Sequence, residues 1–255
     1  MEKYTDISRV SVRPIDRTTA KGIIEKYHYS HLIPATLQLS LGVFYESDDT
    51  GKFFDDNEKL IGCIMYGHPS GRMVVDSITE GDLLDRENIM ELLRLFIHDG
   101  YGKNIESYVI GQSFKWLKIN RPKVKVLISF SDPAEGHLGI IYQSTNWLFQ
   151  MIPSSGKWQF SMEKNPYHWV HPRTIFGRYG FCGVEDMKKS FDKNFYAKRL
   201  TNKFRYLYIL TNKSEARKIK KNLIHELLPY PKSIDYMEEI VEVEVSGNSK
   251  LGKFI

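Results

Sequence analysis

Apolar and polar residues alternate over 7–15, a period of two that predicts a half-buried first strand. Asp16 follows, placed so that its carboxylate can cap a helix. Ala20, Ile23, Ile24, Tyr27, His28 and His31 then recur at spacings of three and four on one helical face. Pro34 closes the segment. Two apolar runs, 37–45 and 59–66, flank the acidic, glycine-containing stretch 46–58 and predict a hairpin. Residues 92–98 read as a central strand ending at Asp99-Gly100-Tyr101-Gly102. A helix is predicted from about Asn104 to Lys118, with Ile105, Tyr108, Val109 and Trp116 inward and Ser107, Gly111 and Phe114 on a separate face.

The β-branched apolar run 124–130 predicts a buried strand that ends on an acidic residue, Asp132. Helix-compatible sequence carrying Tyr142 comes next, and a sixth strand opens at Trp147 and runs to 152. Residues 153–203 are rich in aromatic and basic side chains and contain several Gly and Pro, which marks an insertion. Residues 204–210 predict the returning strand. A basic helix, 214–228, turns Ala216, Ile219, Leu223 and Leu227 inward and ends at Pro229-Tyr230-Pro231. In the tail Val241, Val243 and Val245 alternate with Glu242 and Glu244, a candidate edge strand. This order predicts an α/β protein with a mixed sheet and helices on both faces. It also predicts one catalytic domain over 1–232 that carries the 153–203 insertion, and a tail over 233–255.

Composition narrows the class. The chain has 255 residues, enough for a substantial core, with 15 Tyr, 14 Phe and 4 Trp. The sequence shows no run of about 18 apolar residues and no cationic-then-apolar leader, so neither a membrane span nor a secretory signal is expected. Two cysteines, Cys63 and Cys182, form no framework and fit free thiols in a reducing cytoplasm. The net charge of +5 is uneven: residues 164–233 hold 16 Lys and Arg against 5 Asp and Glu, a local +11, and the remainder carries −6. Basic charge gathered in one segment is the footprint of a polyanion binder.

The order strand, acid, helix with tyrosine, aromatic strand in SFSDPAEGHLGIIYQSTNW (129–147) resembles the acceptor end of N-acetyltransferase-like folds. Its wording is closer still to the Mom proteins of Mu-like phages. The resemblance spans roughly residues 25–232. It also rests on His28-Tyr29-Ser30-His31, Glu91-Leu92-Leu93-Arg94-Leu95-Phe96, Glu106-Ser107 with Gly111, His171-Pro172-Arg173, the 204–210 strand and Pro229-Tyr230-Pro231-Lys232. It implies a GNAT-like acetyltransferase fold. It further implies an enzyme that converts the N6 amine of adenine in double-stranded DNA to a carbamoylmethyl derivative, protecting phage DNA from restriction in the host cytoplasm.

Within that resemblance Asp132, at a strand end where such sheets place their sites, is the candidate base for the adenine amine; an Asp there also caps a helix. Tyr142 is the candidate general acid, and tyrosines at such junctions are also core residues with one satisfied hydroxyl. Arg94 is implied as a substrate-side cation, or is paired structurally with Glu91 or Asp132. Ser107 fits an anion beside free helix amides, or a cap. His28 and His31 fit one substrate or one metal, a divalent ion such as iron, with His137 or Asp132 as a further ligand; histidines at a helix end also suit the dipole.

The cofactor position is Gly100, Gly102, Lys103 and Asn104, which lacks the full glycine pattern that holds a coenzyme A pyrophosphate. Acyl-coenzyme A is a candidate donor against which the atypical loop counts. A carbamoylmethyl product also differs from the amide that acetyl transfer yields. DNA contact is assigned to His171, Arg173, Arg178, Lys198, Arg199, Lys203 and Arg205, with Phe191, Phe195, Tyr196 and Phe204 interleaved for stacking. Two other readings remain: an N-acetyltransferase acting on transfer RNA, protein or a small amine, and a non-catalytic DNA-binding protein on the same scaffold.

Overall fold

The computed structural model describes residues 6–46, 58–69, 72–131, 133, 136–152, 158–170, 172–199, 203–233 and 240–245. The chain divides into two compact units. The first comprises 1–131, 139–151 and 205–230; the second comprises 132–138, 152–204 and 231–255.

In the first unit the alternating N-terminal run is strand only over β1 (Val10–Pro14), after a 3-10 turn at Ile7–Arg9. Asp16 caps α1 (Arg17–Tyr27), its carboxylate accepting the Thr19 amide at 2.9 Å and the Thr19 hydroxyl at 2.6 Å. β2 (Leu37–Glu46) and β3 (Glu58–Gly67) pair antiparallel, as their apolar alternation predicts. α2 (Arg72–Asp76) leads to β4 (Ile89–Ile97), which pairs antiparallel with β3. α3 (Ile105–Asn120) and β5 (Val126–Ser131) follow, and then a short α4 (Ile140–Gln143) and β6 (Leu148–Ile152). β9 (Lys203–Ile209) enters between β5 and β6, giving a seven-stranded sheet of order β1-β2-β3-β4-β5-β9-β6. α7 (Lys213–Lys221), capped by Asn212, ends one to two turns before the predicted 228.

Because successive side chains of a strand point to opposite faces, β3 serves two layers. Cys63 and Met65 pack with Ala20 and Ile24 of α1 on one face. On the other face the buried Tyr66 hydroxyl meets Ser113 of α3 at 2.6 Å. Helices therefore cover both faces of a mixed sheet. Ile24, wholly buried, contributes about 1.5–3 kcal/mol by leaving water. A second cluster joins Ile89, Val126, Ile128 and Leu207 of the strands to Ile219 of α7.

The pairing of β4 with β5 is parallel and brief. It holds Ile89 to Val126, Met90 to Leu127 and Glu91 to Ile128, and then stops. Beyond that point β4 continues to Ile97 and β5 to Ser131 with no ladder between them, so the two strands diverge and open a wedge in the sheet.

In the second unit β7 (Trp158–Ser161), β8 (Phe195–Arg199) and β10 (Ile240–Val243) form a three-stranded antiparallel sheet of order β10-β8-β7. α5 (Pro172–Tyr179) and α6 (Val184–Ser190) complete the unit. Its core is Phe160, Ile175, Met187, Phe191, Phe195 and Ala197. The valine alternation of the tail thus becomes a strand, paired to β8 with Val243 opposite Phe195. Among the described residues no helix is long and apolar enough to cross a membrane, and Cys63 and Cys182 are free thiols.

Candidate active site

The wedge between β4 and β5 is lined by hydroxyls. The Ser129 hydroxyl lies 3.0 Å from the Leu92 carbonyl oxygen, where the backbone ladder has ended, and 2.7 Å from the Tyr142 hydroxyl. Ser129 has one proton for these two acceptors. Given to Tyr142, it leaves the phenol's own proton for a third partner; given to the Leu92 carbonyl, which can only accept, it makes the phenol the donor to Ser129 Oγ.

Tyr142 reaches this position because α4 is a single turn. Gly139 precedes it with φ +70, and a Cβ there would stand 2.5 Å from the Tyr206 ring, so the close approach of chain and ring requires glycine. Tyr142 is buried among Tyr206 and Trp147, with centroids 5.0 and 5.2 Å away. Burial is the main cause that pushes its phenol up to about 12, so it is protonated at neutral pH. The Tyr29 phenol and the Glu91 carboxylate add to that upward shift, which places both groups within electrostatic reach of Tyr142. Ser129, Tyr29 and Glu91 are members of this site that periodicity does not single out. The pairing of Ser129 with Leu92 depends on strand register, which no local pattern carries.

The two histidines do not share a helical face. α1 ends at Tyr27; His28 is its C-cap in an extended conformation, and His31 has φ +48. The His28 Nδ1 accepts the Ser30 amide at 3.1 Å, which leaves the ring proton of neutral His28 on Nε2. Arg94 Nε donates to Ser30 Oγ at 3.0 Å, and that hydroxyl lies 2.8 Å from the same Nδ1, so a relay runs from Arg94 through Ser30 to His28. Arg94 also donates through Nη1 to the Leu93 carbonyl at 2.6 Å. Burial above all, then the Arg94 and His31 charges, lower His28 to about 4. His31 Nδ1 is held by the Glu25 carbonyl at 2.8 Å. As they stand the two imidazoles do not offer two lone pairs to one ion, and the Arg94 charge opposes a cation beside His28. Among the described residues no three His, Cys, Asp or Glu side chains group to hold a metal.

Asp132 and His171 lie outside the described residues. Ser107 is tied to Ser144 of the α4 end at 2.7 Å; Ser144 donates to the Ile141 carbonyl, so the Ser107 proton goes to Ser144 and none is left for an anion. Gly100 and Gly102 have φ +94 and +105, and Asn104 enters α3 at φ +64 without a side-chain cap. Lys103 and Asn104 are exposed at the amide end of that helix.

Of the expected DNA contacts, Arg178 of α5, Arg199 and Lys203 are exposed, while Lys198 is half-buried. Arg173 is within α5. Arg205 does not belong with them. It is 1% exposed, donates through Nε and Nη2 to Gln150 Oε1 at 2.9 and 2.7 Å, and reaches Ser77 Oγ at 2.7 Å. β9 is flanked by strands on both sides, and this position turns the side chain inward, where amide and hydroxyl oxygens replace water. Phe191, Phe195 and Phe204 are also buried, so the expected stacking role does not fall to them; Tyr196 alone of the four is partly open.

The sequence matches the Mom protein family over residues 9–232. It is 29% identical over 227 residues to the methylcarbamoylase Mom of Escherichia phage Mu, covering 87% of this chain and 83% of that protein. Among solved structures, the acetyl-CoA complex of NAA60 from Arabidopsis thaliana has a TM-score of 0.42 at 10% identity, over 78% of this chain and 99% of its own. An N-acetyltransferase from Staphylococcus aureus has a TM-score of 0.39 at 10% identity, over 80% and 99%.

Proposed function

This chain belongs to the Mom protein family, and on that premise we propose that it is a DNA-modifying transferase that places a carbamoylmethyl group on the N6 amine of adenine. The family match over 9–232 carries the reading, because it runs through the wedge residues, Tyr142 and the basic segment alike.

The reaction differs from acyl transfer. The amine attacks a methylene that bears a carboxamide; the new N–C bond forms as the bond between that carbon and the donor breaks. One amine proton leaves to a base and the departing group gains a proton. The adenine amine is a poor nucleophile because its lone pair is delocalised into the ring, so a base is needed. Asp132, directly after the last residue of β5, takes this role. Tyr142 supplies the proton to the departing group, with Ser129 orienting the phenol. Burial first, and then the Arg94 charge, keep His28 neutral, and Ser30 fixes its ring between Arg94 and the imidazole. The donor is a small molecule carrying the carboxamide, and the α3 entry at Gly100, Gly102, Lys103 and Asn104 is where its anionic part is held. Adenine leaves the duplex stack to be modified, and Arg173, Arg178, Lys198, Arg199 and Lys203 engage the phosphates. The product shields phage DNA from restriction in the host cytoplasm.

Mass analysis of nucleosides from DNA of cells expressing the protein tests this. The expected result is an adenosine heavier by a carbamoylmethyl group replacing one hydrogen. An acetylated adenosine, or none modified, would overturn the reading.

A further inference from the structure

The alternation that buries Phe195 and Ala197 of β8 turns Tyr196 and Lys198 outward. Two more aromatic rings gather on that side from the segment after β7. Tyr167 and Trp169 stack with centroids 4.9 Å apart at 21°, and Tyr167 meets Tyr196 edge-on at 5.4 Å and 71°. Lys198 Nζ lies 5.4 Å from the Trp169 ring centre, and Lys164 Nζ lies 5.9 Å from that of Tyr196. None of the three rings belongs to the apolar core of its unit. All are half-buried, so each is fixed by its neighbours while part of its surface faces water.

Rings of this kind, held rigid and bordered by ammonium groups, combine a π-face for a base with cations for the phosphates on either side. A base inside a duplex already has both faces stacked, and only an unpaired base can use such a surface. We propose that Trp169, Tyr167 and Tyr196 form a stacking site for an unpaired nucleotide of DNA, with Lys198 and Lys164 meeting the flanking phosphates. The inference rests on the DNA-modifying reading, in which adenine extrusion leaves unpaired positions, and it names a contact that reading lacks.

The test uses full-length protein and single-stranded oligo(dT), followed by tryptophan emission and by affinity across a salt series. Emission of the parent is expected to be quenched on binding. Trp169→Leu keeps apolar volume without an aromatic face and should bind roughly 5- to 150-fold more weakly, the range for one stacked base. Trp169→Phe, which keeps a ring, should retain most of the affinity. Lys198→Gln should lower the salt slope by about 0.7, the value for one phosphate on a single strand. Parental oligo(dT) affinity in Trp169→Leu, or equal losses in the Leu and Phe variants, would overturn the site. Because oligo(dT) binding does not depend on adenine chemistry, a protein that makes no modified adenosine yet loses oligo(dT) in Trp169→Leu would refute the transferase reading and keep the stacking site. A protein that modifies adenine and binds oligo(dT) equally in all variants would do the reverse.

Discussion

The hydroxyls of Ser129 and Tyr142 stand 2.7 Å apart at the point where β4 and β5 cease to pair. In Tyr142→Phe only the phenol oxygen is lost. Modified adenosine per total adenosine should then fall ~10²–10⁴-fold if the group is a general acid. Ser129→Ala removes one orienting bond, about 1 kcal/mol, and should lower product roughly fivefold. Thermal melting must stay close to the parent in both; parental product in Tyr142→Phe would remove it from the chemistry.

Asp132→Asn conserves shape and deletes the charge. Modified adenosine is expected to disappear from the DNA of expressing cells while the melting temperature is kept. If Asp132 and Tyr142 serve one transition state, as proposed, the double variant should be no worse than the weaker single one. Full additivity of the two losses would argue that they act in separate steps.

Burial separates Arg205 from its basic neighbours. Arg205→Ala leaves Gln150 Oε1 and Ser77 Oγ without their donor and opens a cavity, so unfolding free energy should drop by about 2 kcal/mol or more. Reversing Lys198 and Arg199 together to Glu should instead cost less stability than Arg205→Ala, while it weakens duplex binding and flattens its salt dependence. Denaturant titration and binding over a salt series check the pair; the opposite pattern would put Arg205 back on the surface.

His28 gives a pH signature. Folded, its imidazole stays neutral down to about 4; unfolded, it takes a proton near 6.5. Between those values the unfolded chain binds the extra proton, so the contribution is complete above about 6.5 and is lost as pH falls toward 4. The melting temperature should decline across that window in the parent and decline less in His28→Gln. Equal slopes in the two proteins would mean that His28 titrates freely.

Local pattern determined most elements of the larger sheet and their order, whereas β7, α5, α6 and β8 read only as an insertion. The Asp16 cap, the β2–β3 hairpin, the strand before Asp132 and the tail strand are all legible, because period and capping depend on residues a few positions apart. Motif order determined the family. The site was legible only in part: Tyr142 could be named from its place between strand and strand, and its hydroxyl partner could not. Whether His28 continues a helix was decided by the Ser30 amide that claims its Nδ1. Arg205 reads as one more basic residue in a basic run until β9 enters between β5 and β6 and encloses it. Tyr167 and Trp169 lie outside any regular period, and the pairing of β7 with β8 together with the Phe160–Val170 bridge brings Tyr167 against the edge of Tyr196 and Trp169 against Tyr167. Tertiary structure decided these points because strand order and register join residues far apart in the chain. A one-residue shift in register would turn every side chain to the opposite face.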